Sequence, residues 1–143
     1  MNMNRPDSRS LWLRRLLLPT AVFFVGANFT VAAMPGAGDM APNFTLRTLD
    51  DKPVALKALT DAGPVVLVVL RGWPEYQCPV CTRQVQDYIA NAAQFAGRGA
   101  RVLMVYPGPA DQLKAHAQEF LQNKTWPADF LFVIDPDYAF TNA

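Results

Sequence analysis

The chain contains two cysteines, Cys78 and Cys81, in the string RGWPEYQCPVCTRQ. Residues three apart at the start of a helix lie one turn from each other, so these two thiols are close enough to form a small disulfide loop. Pro79 suits the first helical position, because the N–H that proline lacks has no helical partner there. A thiol at a helix N-terminus has its pKa lowered from about 8.5 to roughly 3.5–7.5. The pair therefore indicates redox chemistry that starts from a thiolate, and we expect it to form a disulfide under oxidising conditions.

Two other uses of the cysteine pair stay open. An inert structural disulfide would stabilise little, because so short a loop removes little chain entropy. A metal half-site shared with a partner would need further ligands, and the single histidine, His116, lies far along the chain. We expect His116 at the surface, on the polar side of its helix. Two cysteines and one histidine exclude a zinc site without carboxylates or a second chain, so no metal and no organic cofactor is expected.

Other side chains near the cysteines have a functional and an ordinary interpretation. Arg71 and Arg83 flank the thiols and could stabilise a thiolate, or could be surface cations. Trp73 and Tyr76 precede the cysteines and could wall the site against water, or pack in the core. Glu75 is near enough to carry a proton, but a solvated loop carboxylate is the more ordinary role.

The elements that position these residues begin with strands. Short alternating runs at residues 44–46 and 54–56 flank an Asp-rich turn and predict a β-hairpin. Residues 65–70 form an uninterrupted apolar run, which is typical of a central strand buried on both faces. Two further buried strands are predicted at residues 102–106 and 130–134.

Helices are predicted between these strands, because apolar residues recur there at helical spacing. The first set follows the cysteines and ends before Gly97 and Gly99, which favour a helix stop. Its members are Val85, Tyr88, Ile89, Ala92 and Phe95. The second set is Leu113, Ala117, Phe120 and Leu121. The Pro-Gly-Pro run at 107–109 predicts a strand-to-helix connection, and Trp126 a buried ring in a turn. This alternation indicates an α/β fold with a parallel βαβαβ core and right-handed crossovers.

The first 33 residues predict an export signal. Four arginines precede the apolar run 16–33, and small residues end that run where a signal peptidase would cut. The alternative is an uncleaved membrane anchor, since the run is just long enough to span a bilayer. We therefore expect an exported protein, periplasmic or anchored facing the periplasm, with a linker at 34–41 and a domain at 42–143. Such a compartment is oxidising, so paired cysteines can persist as a disulfide there.

Composition and net charge restrict the class of protein and its possible partners. The chain has 143 residues, of which 51% are hydrophobic and 17% charged, as expected for one folded domain and not for a disordered chain. The net charge of +1 supplies no basic field for phosphates, so nucleic acid is not an expected partner. A membrane is a partner only if the N-terminal segment stays uncleaved.

Several segments together resemble the redoxin group of the thioredoxin superfamily, which includes the peroxiredoxins of the alkyl hydroperoxide reductase and thiol-specific antioxidant type. They are GDMAPNFTL, VVLVVLRGW, PEYQCPVC, VLMVYPGP and FLFVIDPDYAF, and the similarity extends over residues 38–143. The resemblance implies a thioredoxin-like fold, with an N-terminal β-hairpin beside the parallel core. It also implies an antioxidant thiol peroxidase or thiol-disulfide oxidoreductase that acts on a peroxide or disulfide and is recharged by a thiol reductant protein.

The resemblance leaves the roles of the two cysteines open. Peroxiredoxins have Pro, three residues, Thr, two residues and the peroxide-attacking Cys; here Pro74, Cys78 and Cys81 hold those places. In that alignment Cys81 attacks peroxide and Cys78 replaces the Thr. Aligned as a thioredoxin-type pair, Cys78 is the nucleophile and Cys81 the resolving thiol. The second alignment favours a periplasmic thioredoxin-like reductase of protein disulfides.

The family pattern continues with a cis-proline loop, two strands, a helix and an Arg that polarises the peroxidatic thiol, and the sequence given ends before them. We therefore expect residues 65–70 to present an open apolar sheet edge when the domain lacks those strands. Such a chain should be marginally stable and should self-associate. The corresponding non-enzymatic alternative is an inactive or partner-dependent fragment that binds through this edge.

Overall fold

Five strands form one mixed sheet in residues 36–143, the part of the chain that the structure, a computed structural model, describes. They are β1 (Thr45–Arg47), β2 (Pro53–Ala55), β3 (Val65–Val69), β4 (Arg101–Gly108) and β5 (Phe130–Pro136). Their order is β2-β1-β5-β4-β3. Strands β3, β4 and β5 are parallel, and β1 is antiparallel to β2 and β5. The predicted hairpin and parallel core are confirmed.

The predicted export signal at 1–33 and the first residues of the predicted linker lie outside the described residues. Within residues 36–143, none of the helices has the length and apolar character needed to cross a membrane. Residues Ala37–Ala143 form one compact unit.

In the described residues the sheet is accompanied by four helices: α1 (Leu56–Ala62), α2 (Pro79–Ala90), α3 (Ala92–Ala96) and α4 (Leu113–Leu121). Helix α1 was missed from the sequence, because its start depends on distant partners. The Leu56 N–H donates to the Phe44 carbonyl at 3.0 Å, and the Lys57 N–H to Asn43 Oδ1 at 3.0 Å. These bonds satisfy N–H groups that a helix start leaves without helical partners.

The helix predicted to run through Phe95 is divided at Asn91. This residue has φ −102° and ψ 11°, outside helical values, and its Nδ2 donates to the Asp87 carbonyl at 2.8 Å. Asparagine competes for nearby backbone groups in this way, so it interrupts helices. The second predicted helix is confirmed as α4.

The sheet carries a hydrophobic cluster on each face. Helices α2 and α4 cover the first, and α1 covers part of the second. Strand β4 supplies Val102, Met104 and Tyr106 to the first cluster, and Leu103 and Val105 to the second. Because side chains alternate along a strand, one buried on both faces is apolar throughout. Strand β4 is therefore buried on both faces, and so is β5, which supplies Phe132 to the first cluster and Val133 to the second.

The central position predicted for residues 65–70 is wrong. In the sheet that the structure describes, β3 lies at an edge. Val68 and Leu70 are buried under the helices, but Leu67 is 37% and Val69 47% exposed. On that second face only Val65 of the strand packs against the cluster that α1 helps to form.

Both long parallel strands extend further than predicted. Pro107 pairs with Asp135 and Gly108 with Pro136, so the Pro-Gly-Pro run begins inside β4 rather than in a connection. The Pro107 carbonyl is then free to accept from the loop that follows β3. The loop that follows β3 therefore packs against the carboxyl end of β4.

Candidate active site

The loop between β3 and α2 carries the cysteines and is anchored on β4. The Leu70 N–H donates to the Val105 carbonyl at 2.9 Å, and the Trp73 N–H to the Pro107 carbonyl at 3.0 Å. Between them Gly72 has φ +70°, and a Cβ there would lie 1.7 Å from the Pro107 oxygen. Only glycine permits this approach and this backbone conformation. The loop is thereby fixed against the carboxyl end of β4.

Cys78 is the N-cap residue of α2, with φ −79° and ψ 111°. Its Sγ accepts a hydrogen bond from the Cys81 backbone N–H at 3.2 Å. Its carbonyl accepts from the Thr82 N–H at 3.0 Å, which begins the helix, and Pro79 occupies the first turn. The helix start predicted from Pro79 is confirmed. Helix N-termini stabilise negative charge, so the cap position favours a thiolate.

The two thiols are free and each is 7% exposed, but their surroundings shift their two pKa values in opposite directions. The Cys81 thiol donates to Cys78 and lowers the pKa of Cys78, and the N–H groups of Cys81 and Val80 and the charge of Arg71 act in the same direction. Burial raises the pKa of Cys81, and so does the hydrogen bond that it donates to Cys78. Cys78 is therefore the more acidic thiol.

Of the two arginines singled out in the sequence, Arg71 acts at the site. Its backbone N–H donates to Cys81 Sγ at 3.5 Å, and its positive charge lowers the pKa of both thiols. Its guanidinium lies over the Tyr76 ring at 4.2 Å and donates to the Tyr76 hydroxyl at 2.9 Å. Arg83 is exposed on α2, and within residues 36–143 no hydrogen bond joins it to either cysteine.

Two aromatic residues of the loop, Trp73 and Tyr76, could each act as a core residue or as a shield of the site against water, and the structure places them differently. Trp73 packs against the first hydrophobic cluster, and its ring stacks on that of His116 with ring centroids 3.6 Å apart and an interplanar angle of 8°. Tyr76 is 55% exposed beneath Arg71. The surface position predicted for His116 is only partly correct, because the Trp73 ring covers it and leaves its side chain 20% exposed. Glu75 is exposed, as a solvated carboxylate would be.

Sequence reasoning missed a polar cluster beside Cys78. Gln77 accepts at Oε1 from the Tyr106 hydroxyl, 2.9 Å away, and donates from Nε2 to the His116 carbonyl at 2.8 Å and to Glu119 Oε2 at 3.2 Å. Burial raises the pKa of Tyr106 to about 12. A tyrosine in an otherwise apolar buried strand was a usable signal, since a buried phenol needs a hydrogen-bond partner. Nothing in the sequence pointed to Gln77 as that partner.

A metal role for the cysteines gains no support from their neighbours. In the described part of the chain, no group of three or more His, Cys, Asp or Glu residues is placed to hold a metal ion. What the geometry does provide is a buried thiol with a lowered pKa, a second buried thiol with a raised pKa, a helix N-terminus and a nearby cation. These are the requirements of thiolate chemistry.

Comparison with solved structures gives the same fold. A hypothetical protein, SMc02350, from Sinorhizobium meliloti matches with a TM-score of 0.56 and 15% identity, covering 77% of this chain and 59% of that one. The peroxidoxin BcpB from Mycobacterium tuberculosis matches with a TM-score of 0.54 and 23% identity, covering 73% and 62%. A thioredoxin-like protein from Bacteroides caccae matches with a TM-score of 0.53 and 20% identity, covering 73% and 35%. The matched region is therefore less than two thirds of each of these chains.

Comparison with sequence families is more specific. A search of curated proteins gave no significant match. The model of the AhpC/TSA family matches residues 37–143, which include every described strand and helix. The match agrees with the thioredoxin-like sheet and with the cysteine pair at the start of α2, and it assigns the chain: it belongs to the AhpC/TSA family.

Proposed function

We propose that Cys78 and Cys81 are the redox couple of a thiol-disulfide oxidoreductase, with Cys78 as nucleophile and Cys81 as resolving thiol. The observation that carries this proposal is the position of Cys78 Sγ at the N-terminus of α2, 3.2 Å from the Cys81 N–H. That hydrogen bond and the Cys81 thiol lower the pKa of Cys78. Of the two family alignments, this geometry supports the thioredoxin-type one.

The reaction follows from the two thiols and a disulfide substrate. The Cys78 thiolate attacks one sulfur of the substrate, the substrate S–S bond breaks, and the departing thiolate takes up a proton. Cys81 then loses its proton to solvent and attacks the Cys78 sulfur of the mixed disulfide. The second substrate thiolate leaves, is protonated, and the Cys78–Cys81 disulfide forms. The substrate has gained two electrons from the pair, and a thiol reductant protein then reduces the Cys78–Cys81 disulfide with two electrons of its own and becomes oxidised.

The opposite pKa shifts of Cys78 and Cys81 favour attack by Cys78 first and by Cys81 second. Burial and the charge of Cys78 both raise the pKa of Cys81, which therefore stays a hydrogen-bond donor while Cys78 is a thiolate. Once Cys78 is bonded to substrate its negative charge is gone. One of the causes that keep Cys81 protonated is then removed, so Cys81 becomes easier to deprotonate when it is needed.

Peroxide reduction is the second candidate, and membership of the AhpC/TSA family favours it. A thiolate attacks one peroxide oxygen, the O–O bond breaks, the departing alkoxide or hydroxide takes up a proton from solvent and leaves as alcohol or water, and the cysteine becomes a sulfenic acid. The other cysteine condenses with it, forming the disulfide and releasing water. Pro74 supports Cys81 as the attacking thiol in this reaction, whereas the raised pKa of Cys81 opposes it.

Two variants of the full chain test the assignment. With dithiothreitol as reductant, we expect turnover of a protein disulfide by the parent protein and none by Cys78→Ser. Cys81→Ser, treated with the substrate disulfide without dithiothreitol, should accumulate a mixed disulfide at Cys78, visible by intact mass. Faster consumption of hydrogen peroxide than of the disulfide, lost with Cys81→Ser, would replace this proposal by the second. Absence of turnover with both substrates would favour the partner-dependent, non-enzymatic alternative.

We further propose that the protein is exported and works in the periplasm. The support is the N-terminal sequence, in which four arginines precede the apolar run at 16–33 and small residues end it. Cell fractionation followed by mass measurement of the mature protein tests this. We expect a periplasmic form that begins near residue 34. A full-length membrane form would indicate an anchor, and a full-length cytosolic form would contradict export.

A further inference from the structure

The side chain directly before Cys78 is bonded at both ends of its amide. Gln77 Oε1 accepts from the Tyr106 hydroxyl at 2.9 Å, and Nε2 donates to the His116 carbonyl at 2.8 Å and to Glu119 Oε2 at 3.2 Å. These partners determine the orientation of the amide, since the reverse orientation would place Oε1 against a carbonyl and a carboxylate. Both amide hydrogens are used, so Gln77 is held in one position.

The groups that hold Gln77 belong to the rigid part of the fold. Tyr106 lies in β4 and is 1% exposed. Burial raises the pKa of Tyr106 to about 12, so its hydroxyl stays a donor at physiological pH. The His116 carbonyl belongs to α4, and the His116 ring stacks on Trp73 of the same loop at 3.6 Å. Strand β4 and helix α4 thus clamp the loop on both sides of its exposed tip.

Gln77, the clamped residue, directly precedes Cys78, the proposed nucleophile. For Cys78 Sγ to accept from the Cys81 N–H, the cap residue must keep its extended backbone, at φ −79° and ψ 111°. Pro74, Glu75 and Tyr76 are exposed, and Tyr76 contacts Arg71 of the same loop rather than the sheet or a helix. Gln77 is where the loop regains contact with the scaffold before the helix begins.

We infer that Gln77, clamped by Tyr106 and helix α4, is a positioning residue that holds Cys78 in the geometry of its thiolate hydrogen bonds. The inference rests on the proposed function, in which Cys78 is the nucleophile. Gln77 does not touch the sulfur and acts through the backbone. Tyr106 is the more distant member of the same clamp: it lies in β4, and its hydroxyl donates to Gln77 at 2.9 Å.

The test measures the pKa of Cys78 from the pH dependence of its alkylation by iodoacetamide, in full-length Cys81→Ser so that one thiol remains. We expect Gln77→Ala and Tyr106→Phe each to raise this pKa by about one pH unit, the scale of a weakened hydrogen bond to a charged group. The double variant should shift it no further than the larger single shift, because both changes break the same clamp. Tyr106→Phe keeps the buried ring, so it provides a readout even if Gln77→Ala folds poorly.

Gln94→Ala is the matched control. Gln94 is an exposed glutamine that donates to Asn91 Oδ1 at 2.8 Å, away from the loop. Its loss should leave the pKa of Cys78 unchanged. An unchanged pKa in Gln77→Ala and Tyr106→Phe, with only a lower melting temperature, would overturn the inference, as would additive shifts or an equal shift in the control. Failure of the proposed function is distinguishable, because Cys78 in Cys81→Ser would then be no more acidic than Cys81 in Cys78→Ser.

Discussion

Replacing Gly72 by alanine tests how the cysteine loop is supported. A Cβ at this position would lie 1.7 Å from the Pro107 oxygen and 2.7 Å from its carbonyl carbon, and backbone atoms cannot rotate away. At φ +70° the new side chain adds about 1–2 kcal/mol of backbone strain. Relieving the collision would separate the loop from β4 and break the Trp73 N–H bond to Pro107, which contributes about 0.5–1.5 kcal/mol. We expect Gly72→Ala to lower the free energy of unfolding by about 1.5–3.5 kcal/mol.

Urea titration of the reduced full chain measures this loss, and Gly99→Ala is its control. Gly99 has φ +65°, but a Cβ there would meet nothing within 4 Å. The control therefore carries the strain without the collision and should lose about 1–2 kcal/mol. Gly72→Ala should also slow the alkylation of Cys78, whereas Gly99→Ala should not. Equal losses of stability in the two variants, with equal alkylation rates, would refute the account of the loop.

Two further predictions concern the thiols and the aromatic stack. The pKa of Cys78 is lowered on folding, so between its folded value and the unfolded value of about 8.5 the unfolded chain binds more protons. The excess stability of the reduced protein over Cys78→Ser should therefore grow as pH rises through this window in urea titrations, and a flat difference would contradict the shift. Removing the stack with His116→Ala should cost about 0.5–1.5 kcal/mol in the same assay. His116→Phe, which can still stack on Trp73, should retain most of that stability, and equal losses would show that the stack contributes nothing.

The parts of the fold that local patterns determine could be predicted from the sequence. Alternating residues indicated the hairpin, and helical spacing indicated α4. Pro79 after Cys78 indicated the start of α2, since proline is tolerated in the first turn alone. Each of these features depends on residues that are close together in the chain.

The parts that depend on distant neighbours could not be predicted. The apolar run at 65–70 has the same pattern at the centre of a sheet or at its edge, and its neighbours decide which. At the start of helix α1 the Lys57 N–H donates to the side-chain oxygen of Asn43, 14 residues earlier in the chain. Gln77 meets Tyr106 across 29 residues and the His116 carbonyl across 39. Sequence spacing therefore identified the two thiols but not the clamp beside them.

The central claim is that Cys78 is the activated thiol, and competitive labelling of the two cysteines tests it most directly. The reduced, full-length protein is treated at about pH 6 with a limiting, bulky thiol reagent, and peptide mapping gives the label on each cysteine. We predict that Cys78 is labelled many times faster than Cys81, because the pKa of Cys78 is lowered and that of Cys81 raised. Faster labelling of Cys81, or slow and equal labelling of both, would contradict the assignment.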